Sequence, residues 1–129
     1  MDSAAGMVAL HCAVWKKRRE LVAALLAAGV DTNLKDINGH TLVWLGAFEG
    51  TAGILQLLLD GGGSVNGADY IGQTPVIALV LINFGDAAGR LDALLAHPEL
   101  NLDLRCEDMI AEEWAIKKRR HELAAAIAA

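Results

Sequence analysis

The sequence predicts an all-α chain, and three observations carry that prediction. Alanine and leucine, both strong helix formers, fill 43 of the 129 positions (23 and 20). Aromatic residues, which with the β-branched ones favour sheets, make up only 5%. Prolines occur twice, Pro75 and Pro98, leaving long stretches free to be helical. The length suits one domain that buries a core without staples.

Hydrophobic residues make up 54% of the chain, above the roughly 45–50% of ordinary soluble domains. Such an excess points to a membrane span, an Ala/Leu-rich helical solenoid or a partner-binding surface. The longest uninterrupted apolar stretch, Pro75 to Ile82, is eight residues, whereas a span needs about 18. The opening Met1-Asp2-Ser3-Ala4-Ala5 has neither a basic region nor an apolar signal core, so an intracellular, cytoplasmic chain without membrane attachment is expected, with a nuclear location left open. Two isolated cysteines, Cys12 and Cys106, suit a reducing compartment, and no Cys/His cluster supplies a structural metal site.

An internal period orders the elements. Gly6, Gly39 and Gly72 are separated by 33 and 33 residues, and the same pattern follows each. The first helix of each unit lies in Met7–Ala13, His40–Gly46 and Gln73–Leu79. Thr41 and Thr74 sit where a hydroxyl caps such a helix, and Pro75 takes the first helical position, whose N–H would be unpaired anyway. The second helix shows apolar spacing at i, i+3 and i+4: Leu21, Val22, Leu25 and Leu26, then Ile54, Leu55, Leu58 and Leu59, with Leu94-Leu95 in the third unit. Gly29 and the Gly61-Gly62-Gly63 run end these helices, because glycine enters the left-handed cap without strain. The third unit carries three extra residues around Asn83-Phe84-Gly85-Asp86. A shorter fourth unit opens at Asp108, and Glu112 and Glu113 in its first turn suit the positive end of a helix dipole, making it a polar C-terminal cap.

At these residues the chain resembles the ankyrin-repeat family, whose 33-residue unit opens Gly-x-Thr-Pro-Leu-His-x-Ala and ends its second helix with a Leu-Leu pair and a Gly-Ala-Asp-x-Asn turn. The resemblance implies an ankyrin-repeat solenoid: stacked helix-turn-helix units joined by hairpin-like turns, in one domain over 1–129, with repeats near 6–38, 39–71 and 72–107 and a cap at 108–129. It rests on Gly39/Thr41, Gly72-Gln73-Thr74-Pro75, His11 and Asn33/Asn66, recurring at one period. It also makes His11 a structural histidine bonded to the backbone of the adjacent turn. Each helix pair is too small to bury its apolar face alone, so neighbours must stack.

Chemical motifs are weak by comparison. Gly61-Gly62-Gly63-Ser64 lacks the Lys-Ser/Thr ending of a phosphate loop, and helix termination accounts for it. Glu107-Asp108 and Glu112-Glu113 lie in the end cap with no companion nucleophile. The residues therefore imply no enzyme, no cofactor and no metal. Charge is uneven. Eight of 11 basic residues lie in Lys16-Lys17-Arg18-Arg19 and Lys117-Lys118-Arg119-Arg120, while Leu21–Ile116 holds 13 acidic and three basic residues, a net of −10. The two basic turns stand about three helix-pair spacings apart, near 30 Å, flanking an acidic middle, so nucleic acid is not an expected partner. The same separation argues against a Cys12–Cys106 disulfide.

The resemblance further implies partner binding through the turn tips and the open side of the first helices. In unit one those positions read Met7, His11, Trp15 and Lys16. Unit two gives Ile37, Asn38, His40, Trp44, Phe48 and Glu49. Unit three gives Tyr70, Ile71, Gln73, Ile77, Leu81 and Ile82. The cap adds Met109, flanked by Lys117 and Lys118. Most are large and apolar, with Trp44 and Ile77 in place of the family histidine and its backbone hydrogen bond. Together they would expose more apolar area than the few hundred Å² a monomer normally shows. The alternative for some is an inward turn, with Ile77 and Leu81 covering the lengthened turn together with Phe84; Trp114 and Phe84 read as structural.

The expected function is a non-catalytic module that docks a folded protein on an apolar core of Trp44, Phe48 and Tyr70. Asp36, Glu49 and Asp69 would form its acidic rim. Self-association through the same face is the alternative. Regular repeat grammar under bulky contact positions fits two origins, a natural module with an obligate partner or a natural scaffold with a redesigned surface.

Overall fold

The computed structural model describes residues 3–33, 35–49, 51–82 and 87–129; the side chains of 3–8 and 49 lie outside that description. The described residues form eight helices in four antiparallel pairs: α1 (Ser3–Trp15) with α2 (Arg19–Ala27), α3 (Leu42–Glu49) with α4 (Ala52–Asp60), α5 (Pro75–Ile82) with α6 (Ala87–Leu95), and α7 (Ala111–Lys117) with α8 (His121–Ala128). The first helices pack in one row, α1 on α3 on α5 on α7, and the second helices in another, α2 on α4 on α6 on α8. Hairpin turns join one pair to the next. This is the all-α repeat solenoid that the period predicts.

The local chemistry explains the elements. Thr41 Oγ1 accepts the Trp44 N–H at 3.2 Å and Thr74 Oγ1 accepts that of Ile77 at 3.3 Å, the two caps expected from the sequence. Thr51, with no counterpart in that reading, caps α4 through the Ile54 N–H. Gly29 and Gly62 take φ of 86° and 93° where α2 and α4 end. Gly6 departs from its period mates: Gly39 and Gly72 turn hairpins at φ of 80° and 90°, but Gly6 lies inside α1.

The core is a continuous apolar column between the two rows, from Leu10, Val14 and Val22 through Leu42, Leu55 and Leu58 to Leu79, Leu91 and Leu94, and on to Trp114 and Leu123. Side-chain amides tie successive units together in the turns that follow the second helices. Asn33 donates to Gly62 O (3.1 Å) and accepts from Ser64 N (2.8 Å); Asn66 repeats this with Glu99 O and Asn101 N (both 2.8 Å). Each amide thus satisfies backbone groups of the next unit at two points, which fixes the stacking distance. Arg90 is buried at the centre and donates from Nε to Ala47 O (2.8 Å), near the C-terminus of α3, where positive charge is favourable. The lengthened turn at 83–86, with Phe84, lies outside the described residues.

Candidate partner-binding face at the hairpin tips

Two hairpins share one design. In Asp36-Ile37-Asn38-Gly39-His40, Asp36 N–H donates to His40 O, and the Asp36 carboxylate Oδ1 accepts the N–H of Asn38 and of His40, each at 2.9 Å. In Asp69-Tyr70-Ile71-Gly72-Gln73, Asp69 N–H donates to Gln73 O while its Oδ1 accepts from Ile71 (3.1 Å) and Gln73 (2.8 Å). An aspartate that folds its own turn this way leaves the two central side chains pointing off the tip. Those side chains are Ile37 and Tyr70-Ile71, which are 91%, 69% and 70% exposed. Between the adjacent tips lies a shallow open pocket of about 340 Å³, lined by Ile37, Asn38, His40, Asp69, Tyr70 and Ile71. Lys35 reaches across to Ala68 O (3.2 Å) with its ammonium 5.7 Å from the Tyr70 ring centroid, holding the ring beside the pocket.

Close approach of the tips needs glycine at one point. A Cβ on Gly39 would sit 2.7 Å from both Tyr70 N and Tyr70 Cδ1. With glycine there, Tyr70 N–H reaches Asn38 O at 3.3 Å and the hairpins stack.

The third tip is built differently. Cys106 and Met109 pair across a two-residue turn, N–H to O in both directions at 3.0 and 3.1 Å, and Glu107 and Asp108 take φ of 51° and 65°. That is the left-handed pair of a type I′ hairpin. Arg105, standing where Asp36 and Asp69 stand in the earlier units, donates to Asp108 O instead. Glu113 accepts the Ile110 N–H, and Trp114 donates to Cys106 O (3.0 Å), so the buried Trp114 has the structural role expected of it. The two cysteines are free thiols. Burial first, then the charges of Glu107 and Asp69, pushes the Cys106 thiol above its ordinary range, which disfavours the thiolate form.

The residues expected to form the face separate into groups. Ile37, Tyr70 and Ile71 come together at the tips. Trp15 and Ile82 are exposed at the far ends of α1 and α5, and Phe48, Leu81 and Met109 are half-buried against the core. Met7 and the Glu49 side chain lie outside the described residues.

Three expectations need correction. Trp44 is only 4% exposed, because α3 is held between α1 and α5 and its indole lies flat in that seam. The ring stacks on His40 (3.7 Å between centroids) and on Phe48 (5.1 Å), and Nε1 donates to Gln73 O at 3.0 Å. Trp44 therefore bonds backbone of the next hairpin rather than giving up such a bond. Ile77 is fully buried, since α5 lies between two helices and is apolar all round. Asp69, expected on an acidic rim, is 7% exposed and spends one carboxylate oxygen on its own turn. Gln73 lines no contact surface through its side chain in the pocket; its carbonyl is what matters, accepting from both Asp69 and Trp44.

The histidines also behave differently from expectation. His11 faces the Asp36 carboxylate, Nε2 to Oδ2 at 3.7 Å, rather than the turn's backbone. Burial lowers its pKa, with Asp36 acting in the opposite sense and His40 adding to the lowering. His40 lies between two carboxylates, Nδ1 at 3.6 Å from Asp36 Oδ2 and Nε2 at 3.3 Å from Asp69 Oδ2. The sequence placed His40 among contact positions but gave no sign of this bridge, which joins side chains 29 residues apart. Exposed Ile116 on α7 was likewise not singled out. Its period mates Val14, Ala47 and Val80 are buried.

The family model for the ankyrin repeat matches residues 5–37. The Nuclear factor NF-kappa-B p105 subunit of Gallus gallus is similar to this chain, 48% identical over 50 residues. Those residues are 39% of this chain and 5% of that protein, so the chain spans a small part of its relative's length.

Proposed function

We propose that this chain, as a member of the ankyrin-repeat family, is a non-catalytic module that docks a folded protein on the tips of its first and second hairpins. Ankyrin repeats in general mediate protein–protein interaction, and no helix among the described residues is long and apolar enough to cross a membrane. One observation carries the proposal: Ile37, Tyr70 and Ile71 stand largely exposed on adjacent tips, around a pocket of about 340 Å³. Three such side chains side by side approach the few hundred Å² that the largest apolar patch on a monomer reaches. Rigid hairpins present them at little ordering cost on binding. The pocket between the tips is open enough to receive one apolar or aromatic side chain, with Asn38, His40 and Asp69 beneath it to set orientation.

The role first expected of Trp44 passes to Tyr70 and Ile71, and Trp15 and Ile82 extend the surface along the open side of the first helices. A photoreactive phenylalanine analogue at position 71 should trap the docked protein, whereas the same group at Gln56, exposed on α4, should not. The trapped protein should then bind the Tyr70→Ala chain roughly 30-fold more weakly, as for an interface anchor worth about 2 kcal/mol. Equal trapping at both positions, or unchanged affinity, overturns the proposal. If the trapped species is a second copy, sedimentation of the purified chain across concentration will show a dimer, and the face is a self-association surface.

A further inference from the structure

His40 occupies an unusual place. Each flanking aspartate uses one carboxylate oxygen, Oδ1, to fold its own turn. The other oxygen, Oδ2, faces the imidazole: Asp36 toward Nδ1 at 3.6 Å and Asp69 toward Nε2 at 3.3 Å. A neutral imidazole carries one N–H and one lone pair. It can donate to only one of these carboxylates, and its lone pair must then face the other. An imidazolium donates to both. The contacts are longer than the roughly 2.7–2.9 Å of charge-assisted bonds, so there is room for them to tighten.

The two aspartates belong to different hairpins, and His40, Asp69 and the tip residues line one pocket. We propose that His40 is a proton-operated clamp between the first and second hairpins, which draws the tips together on acidification and so sets the shape of the docking pocket. The consequence for binding rests on the reading of the tips as the docking face; the clamp itself is a property of the chain alone.

The charged surroundings of His40 are defined. From α1, His11 shares Asp36 Oδ2 at 3.7 Å. Burial resists protonation of His11, which leaves Asp36 to His40. From its own hairpin come Asp36 and Lys35, whose ammonium is turned away to Ala68 O. From the third unit comes Asp69, and beyond it, in the last hairpin, Cys106 and Glu107, which interact electrostatically with one another and, for Cys106, with Asp69. On the remaining side the ring is covered by Trp44, stacked at 3.7 Å and 9° between planes.

One amide reports the clamp. Tyr70 N–H donates to Asn38 O across the two hairpins at 3.3 Å, a long bond that a tighter clamp should shorten. Hydrogen exchange on the full chain, read as protection factors so that the intrinsic pH dependence cancels, should show Tyr70 protection rising at least about fivefold from pH 7.5 to 5.5, the range in which histidines change charge. The rise should vanish in His40→Gln and in Asp69→Asn, which keeps an oxygen for the turn, and should persist in His11→Gln. A wild-type chain without the rise, or a rise retained in His40→Gln, overturns the clamp. Either result leaves the docking face to be judged by the position 71 trapping and the Tyr70→Ala affinity.

Discussion

Trp44→Phe isolates what the buried indole contributes. Phenylalanine keeps a ring to stack between His40 and Phe48 but removes the N–H that reaches Gln73 O at 3.0 Å. Gln73 O retains the Asp69 N–H, so no carbonyl is left unsatisfied, and losing the indole bond should cost about 1 kcal/mol. Two ring carbons also leave a site that is 4% exposed, at roughly 0.8 kcal/mol per buried carbon. The sum is about 2.5 kcal/mol, or about 9 °C in Tm for a chain of this length. Urea unfolding followed by circular dichroism at 222 nm suits the measurement, because tryptophan fluorescence changes with the substitution itself. A loss below about 0.5 kcal/mol would mean that Trp44 neither packs nor bonds as described. A loss of partner binding with stability intact would return Trp44 to the interface.

Two further perturbations test the scaffold. Asp108 occupies the slot of Gly39 and Gly72 and holds φ of 65°, so Asp108→Gly should stabilise the chain by about 0.5–1 kcal/mol in urea unfolding; destabilisation would mean that the aspartate side chain supports the turn. His11 binds its proton less readily in the folded chain than its ordinary value of 6.5, because burial disfavours the charge. Its contribution to stability is therefore complete above that value and lost as pH falls below it, since the unfolded chain takes the proton more readily. The difference in urea midpoint between pH 7.5 and 5.5 should accordingly shift in favour of the acid side in His11→Gln. An unchanged difference would place His11 in solvent.

Much of the fold was legible because it is local and periodic. Thr41 and Thr74 cap helices, Gly29 and Gly62 end them, and Leu55-Leu58-Leu59 face inward, all from interactions within a few residues of one another. Repetition at 33 residues then fixed the architecture, because a helix pair that cannot bury its apolar face alone must stack on another. The exposure of Ile37, Tyr70 and Ile71 was legible too, since all three occupy hairpin turn positions. Trp44 and Ile77 were not. Position in the repeat says which residues lie on a first helix, but whether a side chain stands on the open face or lies in the seam depends on neighbouring helices and rotamer.

The excess of apolar residues, the repeat period and the caps were determined by sequence alone, because each follows from composition or from spacing shorter than one unit. Tertiary structure alone decided what passes between units. Trp44 reaches the next hairpin, Asn33 and Asn66 bind the next turn, Arg90 caps a helix 43 residues away, and His40 bridges two aspartates. Apart from the His40–Asp36 contact, each joins groups 29 or more residues apart in the chain, where distance in space is set by stacking geometry that no single unit encodes.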